Sequence, residues 1–228
     1  MQYDSRRQAP QSPSRVGPAV PEPLVFDLVR PLGAGVGEVE VNTIGRFRGG
    51  TAKWAPEVEA VIAEDLALEL EFPFEDSDLA TYKVALQHTL AAGRSESFIQ
   101  GLQAIVERER DEAATEVSLL HIGATRFDAR RSALWMAGGR GHLGGDGAGG
   151  RFDLLLNASL FADLGPHLVA GLELNLAQPT GGGDTELLVM PQLHTSLTEH
   201  LHVQLGFGIH AEGDRTHSEL ALRVILAF

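Results

Sequence analysis

The chain has 228 residues, a formal net charge of −13, 26 glycines and no cysteine. That length gives one domain of ordinary size or one medium barrel. The acidic balance sets nucleic acid aside as a partner, because phosphate binding needs clustered Lys and Arg, and the missing thiols exclude a disulfide framework or thiolate metal site.

Residues 1–23 hold Pro, Ser, Gln and Arg with almost nothing to bury and are expected to form a disordered extension, leaving 24–228 as a single domain. The charges at the start flank no apolar centre, so this stretch does not read as a secretory signal; the signal of an exported protein is expected to be absent from this chain. No run of about 20 apolar residues supplies a membrane-spanning helix.

From Gly37 onward about twelve strand candidates recur, separated by Gly, Asp, Glu and Arg clusters. The first, 37–48, sets Val39, Val41 and Phe47 against Glu38, Glu40, Asn42, Arg46 and Arg48. The second, 53–62, sets Trp54, Pro56, Val58, Ala60 and Ile62 against Glu57 and Glu59; after "AEDL", Leu66, Leu68, Leu70, Phe72 and Phe74 oppose Glu69 and Glu71. The fourth, 79–89, sets Tyr82, Val84 and Leu86 against Lys83, Ala85 and Gln87. Alternation is imperfect in 98–108 and 115–125, whose register needs a bulge, and "SESFIQGLQAIVERERDEAATE" also carries partial helical periodicity.

A short strand over 133–139 runs into "GGRGHLGGDGAGGR", which reads as a mobile loop. Clean alternation then returns. Phe152, Leu154, Leu156 and Leu160 face away from Asp153, Asn157 and Ser159; Leu168, Leu172, Leu174 and Leu176 face away from Glu173 and Asn175. The next hairpin sets Leu187, Val189, Leu193 and Leu197, then Leu201, Val203, Leu205, Phe207 and Ile209, against Gln192, His194, His202, Gln204 and His210. The last strand puts Leu220, Leu222, Val224, Leu226 and Phe228 on one face, and Glu219, Ala221, Arg223, Ile225 and Ala227 on the other.

Alternation alone fits both a soluble sandwich and a membrane barrel. Two patterns favour the barrel. The connections after even-numbered strands, "AEDL", "FDARR", "FADLGPH" and "SLTEHL", are compact, whereas others are longer, as expected with both termini in the periplasm. Phe47, Trp54, Phe72, Phe74, Tyr82 and Phe152 cluster at the longer-loop ends, where an interfacial girdle belongs. The expected fold is therefore an all-β, antiparallel, up-and-down transmembrane barrel of about twelve strands in the bacterial outer membrane, its apolar face in the lipid bilayer.

The segment "WAPEVEAVIAEDLALELEFPFED" resembles the Pro-Glu-hairpin-Leu-Glu-Leu-Glu-Pro-Phe stretch of Gram-negative outer-membrane transporter-like proteins, including those grouped with the meta-pathway of phenol degradation. "MPQLHTSLTEHLHVQLGFGI" resembles their closing hairpins, and the terminal Phe228 resembles the signal read by the outer-membrane assembly machinery. The resemblance implies a barrel and passage of a small solute, without naming the solute. The start and the loops are shorter than in the family pattern.

On the polar face, Glu38, Glu40, Glu57, Glu59, Glu69 and Glu71 share one wall, with Glu173 farther round. Arg46, Arg48, Lys83 and Arg223 are their available partners. Side chains on neighbouring strands approach to roughly 5 Å, so these groups form either a salt-bridged brace or a cation-attracting lining. His194, His202 and His210 fall on the same face and are a weak metal candidate, favoured instead as ordinary hydrogen-bonding residues. No cofactor is implied. A lipid-facing Ser and His, as in outer-membrane phospholipase A, is the enzymatic alternative. His88 lies on the apolar face with no Ser assignable at matching depth, so no catalytic residue is assigned. "GAGVG" and the later glycine run lack the strand, helix and Lys-Ser/Thr of a nucleotide loop. A closed structural or adaptor barrel that binds another envelope protein is the second reading.

Overall fold

The computed structural model describes residues 17–26, 28–111, 114–144 and 151–228. Within them the secondary structure is all β, with no helix. Twelve antiparallel strands form the wall: β1 (Val39–Arg48), β2 (Thr51–Ala63), β3 (Leu66–Glu71), β4 (Thr81–Leu90), β5 (Phe98–Glu109) and β6 (Thr115–Arg126), then β7 (Arg131–Leu143), β8 (Phe152–Gly165), β9 (Leu168–Pro179), β10 (Glu186–Ser196), β11 (Leu201–Glu212) and β12 (Arg215–Ala227). Each pairs with its sequence neighbours, and β1 pairs with β12 from Glu40↔Ala227 to Arg48↔Glu219, which closes the barrel. A small ladder, Phe74–Glu75 with Asp78–Leu79, extends β2 at Lys53 and Trp54.

One end of the barrel carries Val39 and Phe228 with the turns after β2, β4, β6, β8 and β10; we call it the terminal end, and the opposite one the loop end. The compact connections expected after even-numbered strands lie at the terminal end. The contrast between ends is softer than the sequence suggests. Gly49 and Gly50 (φ 59° and 91°) make a two-residue turn at the loop end, with both residues in the left-handed region that such a hairpin requires, and Gly213–Asp214 makes another. At the terminal end, Asp128 accepts backbone N–H bonds from Arg130 and Arg131, both at 2.8 Å, and an Arg131 guanidinium bond at 2.7 Å. These hold its carboxyl at about 2, below the usual 3.8.

The distribution of side chains is inverted relative to a soluble fold. Leu119, Leu154, Leu156, Leu160, Phe207, Ile209 and Leu222 are exposed on the outer face, while Glu59, Glu69, Glu173 and Glu219 are fully buried within. That inversion is what a barrel in hydrocarbon needs, since closure satisfies every ladder group and lipid takes the apolar face. Phe47, Trp54, Phe72, Phe74, Tyr82 and Phe152 gather at the loop end, with Trp54 stacked on Phe74 at 4.5 Å and Phe72 edge-on to Tyr82 at 6.4 Å. Phe98 stacked on Trp135 at 6.0 Å, with exposed Phe127 and Phe228, marks the terminal end.

Two expectations change. Residues 98–109 and 115–126 are strands as expected, but they pair without a register shift; bulges occur at Val61/Ala63 and Asp163/Gly165 instead. The glycine run is not all loop, because β7 continues through Gly138, Gly139, Arg140, Gly141 and His142 to Leu143. Ladder hydrogen bonds need no side chain, and a Cβ on Gly139 would sit 2.1 Å from the Phe152 ring, so glycine lets that ring cover the strand. Residues 145–150 of the run lie outside the described residues.

The lumen is not empty. Residues 17–26 and 28–35, ahead of β1, run inside the barrel, burying Val20, Leu24, Leu28, Val29 and Leu32. Leu28 and Leu32 pack with Ile99, Ile122, Leu134, Met136 and Phe161; Leu24 packs with Ile44, Leu188 and Met190; Val29 packs with Val61, Ile105 and Leu120. Of the extension expected over 1–23, residues 1–16 lie outside the described residues, and Val20 and Glu22 are buried inside the wall.

Candidate functional site: the plugged lumen

Strand register builds the acidic wall. Glu40 faces Glu59 and Asn42 faces Glu57 across β1 and β2; Glu57 faces Glu71 and Glu59 faces Glu69 across β2 and β3; Glu71 faces Lys83 across β3 and β4. Residues directly opposite on one face lie about 5 Å apart, so each carboxylate meets another. Glu57, Glu69 and Glu71 each offer an oxygen within 4.8 Å of the others, and Lys83 Nζ occupies that neighbourhood, 3.2 Å from Glu69 and in contact with Glu71. Arg223, buried on β12, lies 3.9 Å from Glu57. Asn42 donates to Glu59 at 2.8 Å.

Arg30 is the cation that sequence reasoning missed. It belongs to the inner segment, is 4% exposed, and pairs with Glu38 at 3.0 Å, with Glu40, and with Glu59 at 3.8 Å. Gln87 on β4 donates to the Arg30 carbonyl at 2.6 Å, and Thr89 accepts from Gly33 N–H at 3.1 Å. Glu173 stands apart from the wall formed by β1 to β4. Its carboxylate accepts three consecutive backbone N–H bonds, from Leu24 (2.8 Å), Val25 (3.1 Å) and Phe26 (2.6 Å), and a fourth from Asn175 at 2.8 Å.

Arg46 and Arg48 engage Glu219 at 2.6 and 3.7 Å near the loop end. A second cluster there joins Arg140 to Asp153 at 2.9 Å and to Glu116 at 3.3 Å, with the His142 ring nitrogens 2.8 Å from Asp153 and 2.9 Å from Glu116. Reading the glycine run as loop hid both Arg140 and His142. The three candidate histidines do not share a place. His194 and His202 line a cavity at the terminal end, while His210 lines one at the loop end, 3.9 Å from Glu186. His194 contacts Gln192 at 3.0 Å and His202 contacts Ser196 at 2.8 Å. His88 is on the outer face, opposite Leu66 and Leu102, its Nδ1 3.1 Å from the Asp65 carbonyl.

The inner segment divides the lumen. The terminal-end cavity, about 900 Å³, is bounded by Val20, Glu22 and Arg30 of the segment, with Arg126, His167 and Gln204 of the wall. At the loop end, cavities of about 270 and 600 Å³ are bounded by Val25 and Phe26, with Arg46, Lys83, Glu107 and Arg223.

No protein-family model matches the chain, and no curated protein matches it. Solved structures do. The chain is similar to the NanC porin (TM-score 0.68, 8% identity, covering 82% of this chain and 98% of that one) and to the KdgM porin (TM-score 0.65, 10% identity, 83% and 99%). It is also similar to an outer membrane channel from Pseudomonas putida F1 (TM-score 0.63, 14% identity, 89% and 100%). At these identities the likeness is one of fold: the chain has the closed antiparallel twelve-strand barrel of outer-membrane porins and channels.

Proposed function

We propose that this protein is an outer-membrane channel for a small solute, closed at rest by its own residues 17–26 and 28–35, with an acidic wall that favours cations along the path. One observation carries the reading: a cavity of about 900 Å³ at the terminal end and cavities of about 270 and 600 Å³ at the loop end are parted by the inner segment, not by the wall. The wall supports the charge preference. Among the described residues, the cations paired with Glu38, Glu40, Glu57, Glu59, Glu69 and Glu71 are Arg30, Lys83 and Arg223, while Arg46 and Arg48 are engaged by Glu219. One structural neighbour is a KdgM porin in complex with an oligogalacturonate, which supports a small solute here as well. The sequence resemblance to transporter-like proteins grouped with the meta-pathway of phenol degradation points the same way. Termini in the periplasm, and Phe228 as the assembly signal, belong to the same reading; Phe228 stands 73% exposed at the terminal end.

The test is conductance of a variant lacking residues 17–35 in planar bilayers under a salt gradient. A cation-selective reversal potential that collapses when Glu57, Glu59, Glu69 and Glu71 are replaced by Gln is the expected result. An unchanged ion preference in the quadruple variant removes the acidic lining. A segment-free barrel that conducts nothing favours the second reading, a closed barrel that binds another envelope protein, for which the filled lumen is the supporting observation.

A further inference from the structure

We infer that the described residues of 18–35, which are 18–26 and 28–35, act as a withdrawable gate, latched by the Glu173 carboxylate, and that the gate leaves the barrel through the terminal end. The inference rests on the channel reading above, and four observations support it.

The segment is re-entrant. Gly17 lies against Ile99 near the start of β5, Leu24–Phe26 reach Glu173 at mid-strand, and Gly33 is back at Thr89 near the end of β4, all before β1 begins at Val39. Both feet of the excursion stand at the terminal end, so the loop can drop out that way without threading a chain end through the wall.

Nor is it stitched to the wall. Among the described residues, 18–35 forms no strand and makes no backbone–backbone bond to a strand; its only such bonds are Ala34 N–H to the Pro31 carbonyl at 3.1 Å and Glu38 N–H to the Gly35 carbonyl at 3.2 Å, both within the run ahead of β1. It is held by side chains: Glu173 on one side, Gln87, Thr89 and the Arg30 ion pairs on the other, and Arg126, which donates to the Ala19 carbonyl at 3.2 Å. A strand of the wall, by contrast, shares ladders along its length with two neighbours. Releasing the segment breaks a few contacts, whereas releasing a strand breaks the barrel.

The wall is shaped to receive it. A Cβ on Gly206 would lie 2.6 Å from the Leu24 side chain, and one on Gly101 would lie 2.6 Å from Leu32. These two lumen-facing glycines leave room for the two leucines. Finally, the contacts converge on one group. Three successive amides aimed at a fully buried carboxylate form an anion-binding concavity, and all three lose their acceptor together when the carboxylate is removed.

The test uses the full chain, whose lack of cysteine allows a single probe. Val29→Cys, at a fully buried position, is labelled with a membrane-impermeant maleimide, alone and combined with Glu173→Ala or Glu173→Asp. We expect Glu173→Ala to raise the labelling rate about tenfold or more, because charged hydrogen bonds are lost, and Glu173→Asp to raise it less. The band must still shift on boiling, which shows an intact barrel; if Glu173→Ala does not assemble, Glu173→Gln carries the comparison. Labelling no faster than in Val29→Cys alone, in an intact barrel, overturns the latch. In cells, the acceleration is expected in opened envelopes and not with reagent supplied to the outside of whole cells; equal acceleration from outside overturns the exit direction. Labelling does not depend on conductance, so a segment-free barrel that fails to conduct removes the channel reading while this result stands.

Discussion

Leu28→Ala offers the sharpest check on whether the inner segment is seated by packing. Leu28 is 1% exposed and touches the cluster of Ile99, Ile122, Leu134, Met136 and Phe161, five large side chains that cannot collapse onto a methyl group because each is fixed by its strand. Truncation of a buried leucine in such a setting costs about 2–5 kcal/mol. The loss falls on the equilibrium between seated and released segment, not on the wall, whose ladders Leu28 does not join. At about 1.4 kcal/mol per factor of ten, the released fraction rises roughly thirtyfold to several thousandfold. Chymotrypsin reports this directly, since Phe26 is cleavable only when the segment is out, and cleavage of a rapidly reclosing open state tracks its population. We expect faster cleavage after Phe26 with the temperature of heat modification of the barrel unchanged. Cleavage at the parent rate, or an equal loss of barrel stability, would refute the separation of segment from wall.

Two other perturbations bear on the electrostatics. Lys83→Met removes the cation set against Glu69 and Glu71 and leaves two buried carboxylates without it, a change that costs about 3–5 kcal/mol when one partner of a buried pair is lost. The heat-modification midpoint is expected to fall, and adding Glu69→Gln to Lys83→Met is expected to recover part of it. Asp128 at the terminal-end turn titrates at about 2 in the folded chain, because it accepts hydrogen bonds from Arg130 and Arg131. Its folded value is depressed, so what it adds to the turn is present above the ordinary carboxylate value of 3.8 and is lost as pH falls through about 2; carboxyl-carbon NMR of the detergent-solubilised protein, showing instead a midpoint near 4, would contradict the hydrogen-bonded turn.

The wall was legible where its two faces differ chemically. In β2, β3, β9 and β12 a carboxylate or guanidinium alternates with Leu or Val, and facing could be assigned without error from period two alone. It blurred in β5, β6 and β7 because their inner faces carry Ile99, Ile105, Leu120, Ile122, Leu134 and Met136, so both sides of these strands are apolar. The cause of that blur is the inner segment, since those residues cover Leu28, Val29 and Leu32. A signal was present in "PLVFDLVRPLG", an apolar stretch with no alternation and two prolines, placed just ahead of the first strand where nothing in a plain barrel needs it. The split of His210 from His194 and His202 could not be read along the chain, because it depends on which end of a hairpin each position occupies once register is set. Glu173 is buried inside the barrel, and its task of holding backbone amides follows only from the fold of a segment about 150 residues earlier in the chain.

The two-residue turns Gly49–Gly50 and Gly213–Asp214 sit side by side on the loop-end rim, joined through the β1–β12 seam. A rim that low has no chain to spare for folding over the mouth along this arc. On the proposed reading, in which the segment withdraws through the terminal end, control of passage sits across the barrel from this rim, and whatever pulls the stopper acts at the end that carries Val39 and Phe228.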